Sequence, residues 1–277
     1  MAIRKYYFII SSIITLSLLE WGCAIPPGSK AGLGPVSQPR APSSSPGTVR
    51  TDILIYAGTG SWSAEIDGMT ETLYRHQATY RQINSSELNA MSLDELAEFG
   101  LMIFPGGDAS AMTKNLSPET HAKMRAAVQE RGVSYIGFCA GAWIAIAPAP
   151  EPGQDVSYGV GVVNGPFQIA NYLTKEGREY AVAKAQFASG AQRELLWYGG
   201  PITPNIPGGV LVKYPDGTPA ITQIHSGKGF VIVSGFHPAA PQYVFDSLKL
   251  KNPEGLAFDY AWTLFDAALH HTELPAF

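Results

Sequence analysis

The chain has 277 residues, of which 45% are hydrophobic and 15% are charged, and its formal net charge is −4. Two cysteines in a chain of this length exclude a disulfide framework. Five of the 19 Lys and Arg residues but only one of the 23 acidic residues precede Thr51, so the rest of the chain is more acidic than the whole. This excess of acidic residues excludes nucleic acid and anionic lipid as main partners of that part, since both are bound through surplus cationic side chains.

Residues 1–23 have the composition of an export signal. A basic pair precedes an apolar run at 6–19, which is too short for a comfortable membrane span. Cleavage before Cys23 would leave a lipidated cysteine, although Glu20 stands where a lipoprotein signal has an aliphatic residue, and cleavage after Ala24 would release a soluble product. The sequence therefore predicts an exported protein, either a periplasmic or membrane-anchored lipoprotein or a secreted protein. An uncleaved anchor is the remaining alternative.

Residues 24–50 are dominated by Pro, Gly and Ser and show no aliphatic periodicity. Such a segment cannot bury enough apolar surface to offset the entropy of ordering, so it is predicted to be a disordered linker. Residues 51–277 are enough for one α/β domain and contain no second boundary.

Strands and helices alternate through the first half of this domain, which predicts a mostly parallel sheet with helices on both faces. The elements predicted in chain order are a strand at 52–57, a helix at 67–76, a strand at 79–83, a helix capped by Ser92, a strand at 101–104, a helix from Ser117 to about Arg131 and a strand at 133–136. Glycine turns follow Ala57, Phe104 and Phe138. Because the carboxyl ends of parallel strands share one edge of the sheet, the three turns predict a site at that edge.

Beyond Pro148 the pattern changes to short strands broken by Gly and Pro, which predicts a β-rich insertion and a returning sheet. The predicted strands are 158–163, 167–170, 180–186, 209–214, 220–225 and 229–234, and the final helices are 243–249 and 256–271.

Cys139 stands between Gly137 and Gly141, directly after the fourth predicted strand. This pattern is typical of a nucleophile elbow, in which the residue at a sharp strand-to-helix turn is strained and glycines on either side avoid collisions. The positive end of the helix dipole would favour a thiolate there. The alternative is that Cys139 is a small buried apolar residue.

A base for this thiol is predicted at His237, which follows the last strand and a glycine. The other five histidines are expected to pack or to face solvent. The backbone amide of Ala140 is one candidate donor to an oxyanion, and the turn at Gly107 and Asp108 is expected to supply another. No spacing of Cys, His and carboxylate residues suggests a metal site, and no cofactor is predicted.

Together, these motifs resemble the class I glutamine amidotransferase-like superfamily. The segments that carry the resemblance are Pro105-Gly106-Gly107, Gly137-Phe138-Cys139-Ala140-Gly141-Ala142 and Gly235-Phe236-His237-Pro238. Within the superfamily the chain is most similar to the N-terminal domain of biotin-protein ligases, on the strength of Tyr56-Ala57-Gly58, the elbow and Trp197-Tyr198-Gly199-Gly200-Pro201.

The resemblance implies a flavodoxin-like fold with Cys139 as nucleophile and His237 as its partner. A glutamate usually follows the His-Pro pair in this superfamily and orients the imidazole, but here that place is taken by Ala239 and then Ala240. The candidates to substitute for it from a neighbouring loop are Glu65, Asp67 and Asp108. Without such a carboxylate the tautomer of the histidine is less fixed, and a non-hydrolytic site becomes credible.

The sequence therefore predicts a cysteine-dependent hydrolase of an amide or acyl substrate of small size. The first alternative is a non-catalytic binding module with Trp143, Trp197 and Tyr198 as pocket walls, although such aromatics are more often core residues. The second is a redox-sensing thiol. The chain contains neither a ligase domain nor a synthetase domain, so we expect neither a biotin ligase nor a complete glutamine amidotransferase.

Overall fold

The computed structural model describes residues 53–146, 159–165, 168–170 and 179–277. The predicted signal peptide at 1–23, the linker at 24–50 and the lipidation site at Cys23 lie outside these ranges. None of the helices in the described ranges is long and apolar enough to cross a membrane.

The first half of the domain alternates strands and helices, as predicted. Its elements are β1 (Ile53–Tyr56), α1 (Ser63–Arg75), β2 (Tyr80–Ile83), α2 (Ser85–Ala90), α3 (Leu93–Leu96), β3 (Leu101–Phe104), α4 (Ala109–Asn115), α5 (Pro118–Gln129), β4 (Ser134–Phe138) and α6 (Ala140–Ile146). The predicted caps are confirmed: Ser92 forms a capping box with Glu95, and Ser117 caps α5 ahead of Pro118.

The second half contributes β5 (Tyr180–Phe187), β6 (Gln192–Tyr198), β7 (Val210–Lys213), β8 (Pro219–Ser226), β9 (Gly229–Ser234), α7 (Gln242–Ser247) and α8 (Phe258–Leu269). The nine strands within the described ranges form one sheet in the order β2-β1-β3-β4-β9-β8-β7-β5-β6. The pairs from β2 to β9 are parallel and the pairs from β9 to β6 are antiparallel. The fold is thus α/β and flavodoxin-like, and the β-rich second half extends the same sheet.

Helices cover both faces of the parallel half, and each face has its own core. One core joins β1, β3 and β4 to α1 and α8, and the other joins the opposite faces of these strands to α5 and α6. Every residue of β1 and β3 is fully buried. These strands are continuous apolar runs because both of their faces are covered.

Two strand predictions in the second half are wrong. The described part of 158–163 is not a strand, because the amides of Val160 and Val163 donate to the carbonyls of Ile144 and Ala145 at the end of α6. In the described part of 167–170, only Ile169 forms an isolated bridge. The sequence analysis also missed β6, whose first three residues are polar.

His121 lies buried on α5, and its Nδ1 has no hydrogen-bond partner among the described residues. Burial, together with nearby Arg125, lowers the pKa of His121 to about 4. In the unfolded chain this imidazole titrates near pH 6.5. Below that pH the unfolded state takes up a proton that the folded state does not, so stability falls as the pH falls towards 4.

Replacing His121 with Leu removes this acid sensitivity. Between pH 7.5 and pH 5 the free energy of unfolding should fall by about 2 kcal/mol less in the variant than in the wild type. Urea unfolding curves at the two pH values measure the difference. Equal losses in the two proteins would contradict the prediction.

Candidate active site

The chain turns sharply at Cys139, between β4 and α6. The φ angle of Cys139 is +45°, in the left-handed region that side chains rarely adopt. A Cβ at Gly137 would overlap the backbone of Gly141, and a Cβ at Gly141 would overlap the carbonyl of Phe104. The two glycines therefore allow the start of α6 to pack against the sheet, as expected for a nucleophile elbow.

The three glycine turns predicted at the carboxyl edge lie against one another. In the turn after β1, the Trp62 amide donates to Gly106 O at 2.8 Å and Gly60 O accepts from the Asp108 amide at 2.8 Å. In the elbow, the Gly141 amide donates to Pro105 O at 3.1 Å. The turn after β3 is thus bonded to both of its neighbours, which fixes one shared site.

His237 follows β9 at the same edge, and its orienting carboxylate is Glu65. The His237 Nδ1 and Glu65 Oε1 atoms are 2.8 Å apart, and both side chains are buried. The other carboxylate oxygen of Glu65 accepts the Gly106 amide. Glu65 therefore holds the imidazole in a fixed orientation and is itself held by the backbone.

Glu65 comes from the first turn of α1, and this helix lies very close to the segment after His237. A Cβ at Gly68 would overlap the carbonyl oxygen of Ala239. Ala239, which stands where the superfamily usually has a glutamate, is fully buried and packs against α1 at Gly68. The carboxylate that contacts His237 instead belongs to Glu65, 172 positions earlier in the chain.

The other two candidate carboxylates do not meet His237. The Asp108 side chain accepts the Ala111 amide at 2.9 Å and caps α4. The Asp67 carboxylate accepts the hydroxyl of Tyr243 at 2.7 Å on the protein surface. The prediction that a neighbouring loop supplies the carboxylate is therefore wrong, because Glu65 lies in the helix α1.

The pKa of His237 is raised well above its usual value. Burial acts to lower it, but the negative charge of Glu65, its hydrogen bond and the adjacent Cys139 outweigh burial. Protonation of this imidazole is therefore stabilised relative to that of a free histidine, which favours proton transfer to it from a neighbouring group.

The thiol of Cys139 donates to the backbone carbonyl of Tyr198 at 3.0 Å. The Nε2 atom of His237 is buried and has no hydrogen-bond partner among the described residues. Both side chains line one cleft. The second imidazole nitrogen is therefore available on the side of His237 opposite Glu65.

Residues 197–201, which we call the strap, are held over the elbow by their backbone. Four successive carbonyls each accept a side-chain donor: Tyr198 O from Cys139 Sγ, Gly199 O from Trp143 Nε1 at 3.1 Å, Gly200 O from Trp197 Nε1 at 3.1 Å and Pro201 O from the Tyr214 hydroxyl at 2.8 Å. A Cβ at Gly200 would overlap Gly235 O, just after β9. The strap thus packs closely against Gly235, two residues before His237.

Of the three aromatic residues predicted as pocket walls, Trp143 and Trp197 do not line the cleft and Tyr198 does. Trp197 is fully buried in the core, and Trp143 points its indole N–H at the strap. The backbone of Tyr198 also contacts the thiol.

The two predicted oxyanion donors are the amides of Gly107, which lines the cleft, and of Ala140, which directly follows Cys139. In the turn after β3, the amides of Gly106 and Asp108 are bonded within the fold, whereas Gly107 lines the cleft. Gly107 has a φ of +137°, and a Cβ there would overlap Gly60 O. The Ala140 amide begins α6, where the first amides have no acceptor within the helix.

The cleft has a volume of about 330 Å³ and is lined by Ser61, Trp62, Gly107, Cys139, Tyr198 and His237. Sequence reasoning missed Trp62. Its ring meets that of His237 edge to face at 5.2 Å between centroids and that of Tyr198 at 5.8 Å. The available signal was an aromatic residue in the turn after β1, which shares its edge of the sheet with Cys139.

The arrangement combines a thiol, an imidazole held by a carboxylate and the two backbone amides that were predicted as oxyanion donors. These are the parts that acyl transfer requires. No group of His, Cys, Asp and Glu side chains in the described ranges could hold a metal ion.

Residues 51–149 match the family model described as "Biotin-protein ligase, N terminal". A comparison with curated proteins found no match. Among solved structures, a cytoplasmic protein of Salmonella typhimurium is 10% identical, with 79% of this chain and 98% of that chain covered and a TM-score of 0.48. DJ-1 of Schizosaccharomyces pombe is 11% identical, with 77% and 97% covered and a TM-score of 0.36.

An exo-beta-1,4-mannosidase of an Opitutaceae bacterium is 11% identical, with 78% of this chain covered and a TM-score of 0.39, and the present chain spans 36% of its length. The family match covers β1 to α6 and includes the elbow. The family match and the fold are consistent with the class I glutamine amidotransferase-like superfamily.

Proposed function

We propose that the domain is a cysteine-dependent hydrolase of a small amide or acyl substrate. Cys139 would be the nucleophile, His237 the general base and acid, and Glu65 the residue that orients the imidazole. The observation that carries the proposal is the buried contact of 2.8 Å between His237 and Glu65 beside a cleft that also contains the strained Cys139.

In the proposed reaction the Cys139 thiol transfers its proton to Nε2 of His237, and the sulfur attacks the substrate carbonyl carbon. The oxyanion is bound by the amides of Gly107 and Ala140. The imidazolium then protonates the leaving amine or alcohol as the tetrahedral intermediate collapses to a thioester. A water molecule, deprotonated by His237, releases the acid and restores the thiol.

The raised pKa of His237 supports this sequence of steps. An imidazolium stabilised by Glu65 remains protonated long enough to serve as the acid for the leaving group. The alternative of a binding module without turnover depended on a missing carboxylate. Glu65, bonded to Nδ1, favours the hydrolase over that alternative.

We further propose that the chain is a member of the biotin-protein ligase N-terminal branch, supported by the match over residues 51–149 and by the strap sequence. Export, with or without a lipid on Cys23, remains our proposal for its location. Its support is the basic pair and apolar run of the N-terminal segment.

Acylation by p-nitrophenyl acetate tests the hydrolase proposal. In the full chain we expect a burst of nitrophenol and a mass increase of one acetyl group on the peptide that contains Cys139. Cys139→Ala should abolish both, because the remaining residues supply no nucleophile at the elbow. The Cys23→Ala variant is the matched control and should behave as the wild type. Equal acetylation of wild type and Cys139→Ala would refute the proposal.

A further inference from the structure

The described part of the cleft wall is neutral. Beside Cys139 and His237, the described residues that line the cleft are Ser61, Trp62, Gly107 and Tyr198, and none of these is a lysine, arginine or carboxylate. Among the described lining residues, His237 is the one whose side chain can become cationic, and the Glu65 carboxylate behind it would balance that charge.

Two acidic residues of the described ranges lie near this lining. Asp108 directly follows Gly107 and is exposed. Glu179 is also exposed, and burial of Tyr198 together with the charge of Glu179 raises the pKa of Tyr198. A carboxylate on the substrate would meet these two acidic groups without a cationic partner among the described lining residues.

The backbone of Trp62 is hydrogen-bonded on both sides, and its ring contacts two other rings of the cleft wall. Its amide donates to Gly106 O at 2.8 Å, and its carbonyl accepts the amides of Glu65 and Ile66 at the start of α1. Its ring is edge-on to His237 and to Tyr198. A fixed aromatic wall offers apolar contact area without the entropy loss of ordering a flexible side chain.

A zwitterionic head group, such as the ammonium and carboxylate of glutamine, would lose water in this cleft and gain no ion pair from the described lining residues. A neutral group with a flat apolar part would instead gain contact with Trp62 and Tyr198. Resting on the proposed hydrolase function, we infer that the substrate is a neutral amide or ester with an apolar, planar group beside its carbonyl, and that Trp62 is a specificity-determining residue.

Three chloroacetamides that alkylate thiols by displacement of chloride test this inference. They carry the same reactive group on benzylamine, on methylamine and on the side-chain amine of 2,3-diaminopropionic acid, which has the charged groups of glutamine. In the full chain, Cys139 should react about 3- to 10-fold faster with the benzyl probe than with either of the others, the size expected for one aromatic contact.

The ratio of the benzyl rate to the methyl rate should fall towards one in Trp62→Ala and be kept in Trp62→Phe, whatever the absolute rates. This ratio separates recognition from a general loss of structure. A charged probe that reacts as fast as the benzyl probe, or a ratio unchanged in Trp62→Ala, would overturn the inference while leaving the hydrolase proposal intact. Reaction of all three probes at the rate of free cysteine would overturn both.

Discussion

Replacing Glu65 with Gln is expected to slow acylation of Cys139 by up to roughly 10⁴-fold, the loss found when the orienting carboxylate of a triad becomes an amide. The amide can still accept from Gly106, but its NH₂ group would face Nδ1 of His237 and favour the wrong tautomer. The measurement is the rate of nitrophenol release as a function of pH.

The same variant should show a defined change in stability with pH. The raised pKa of His237 contributes stability that is fully present below about pH 6.5 and is lost as the pH rises through the folded-state pKa. Glu65→Gln removes the charge behind this shift. Its loss of stability should therefore be largest at acidic pH and shrink as the pH rises.

Glu71→Gln is the matched control, since Glu71 lies on α1 as well but is exposed and pairs with Arg75 at 2.8 Å. Its stability should change by no more than about 0.5 kcal/mol, and its acylation rate should be unchanged. A Glu65→Gln variant as reactive as this control would show that the carboxylate has no part in the reaction.

Replacing Gly106 with Ala is expected to remove acylation of Cys139 and to destabilise the fold by about 1–3 kcal/mol, as for overpacking of a core. The new Cβ would lie 2.5 Å from Cε1 of His237 and 2.9 Å from Oε2 of Glu65. Both side chains are buried, so neither can move away without breaking their pairing. Chemical unfolding and the nitrophenol assay together measure the two effects.

Gly209→Ala separates loss of stability from damage to the site. Its Cβ would lie 2.7 Å from the carbonyl oxygen of Gln223, and Gly209 does not line the cleft. We expect this variant to be destabilised but to acylate normally at a temperature where it is folded. Normal acylation of Gly106→Ala would show that the pair His237 and Glu65 is not tightly packed against Gly106.

The parts of the site that could be predicted from the sequence are those whose signal is local. The elbow at Cys139 and the turn before His237 can each be recognised from a few consecutive residues, because an apolar run is followed there by a glycine turn. Glu65 emerged only as one of three candidates. Its partner lies 172 residues away, and the contact depends on the close packing of Gly68 against Ala239, which no local pattern encodes.

The errors in the fold have a related cause. Continuous apolar runs predicted the strands of the parallel half well, since strands buried on both faces are apolar along their whole length. Val160, Val162 and Val163 form a similar run, but their segment packs as irregular chain against the end of α6. These valines are buried, but they are not paired in the sheet. In β6 the start is polar, so the apolar signal is confined to its second half.

The strap contributes to the site in two separate ways through Tyr198. Its contact with the thiol is the backbone carbonyl of Tyr198, whereas its contribution to the cleft wall is the Tyr198 ring. Substitution at this position can therefore change what the cleft accepts while the group that meets the sulfur stays the same. Descendants of this domain can diverge in substrate preference here without rebuilding the reactive centre.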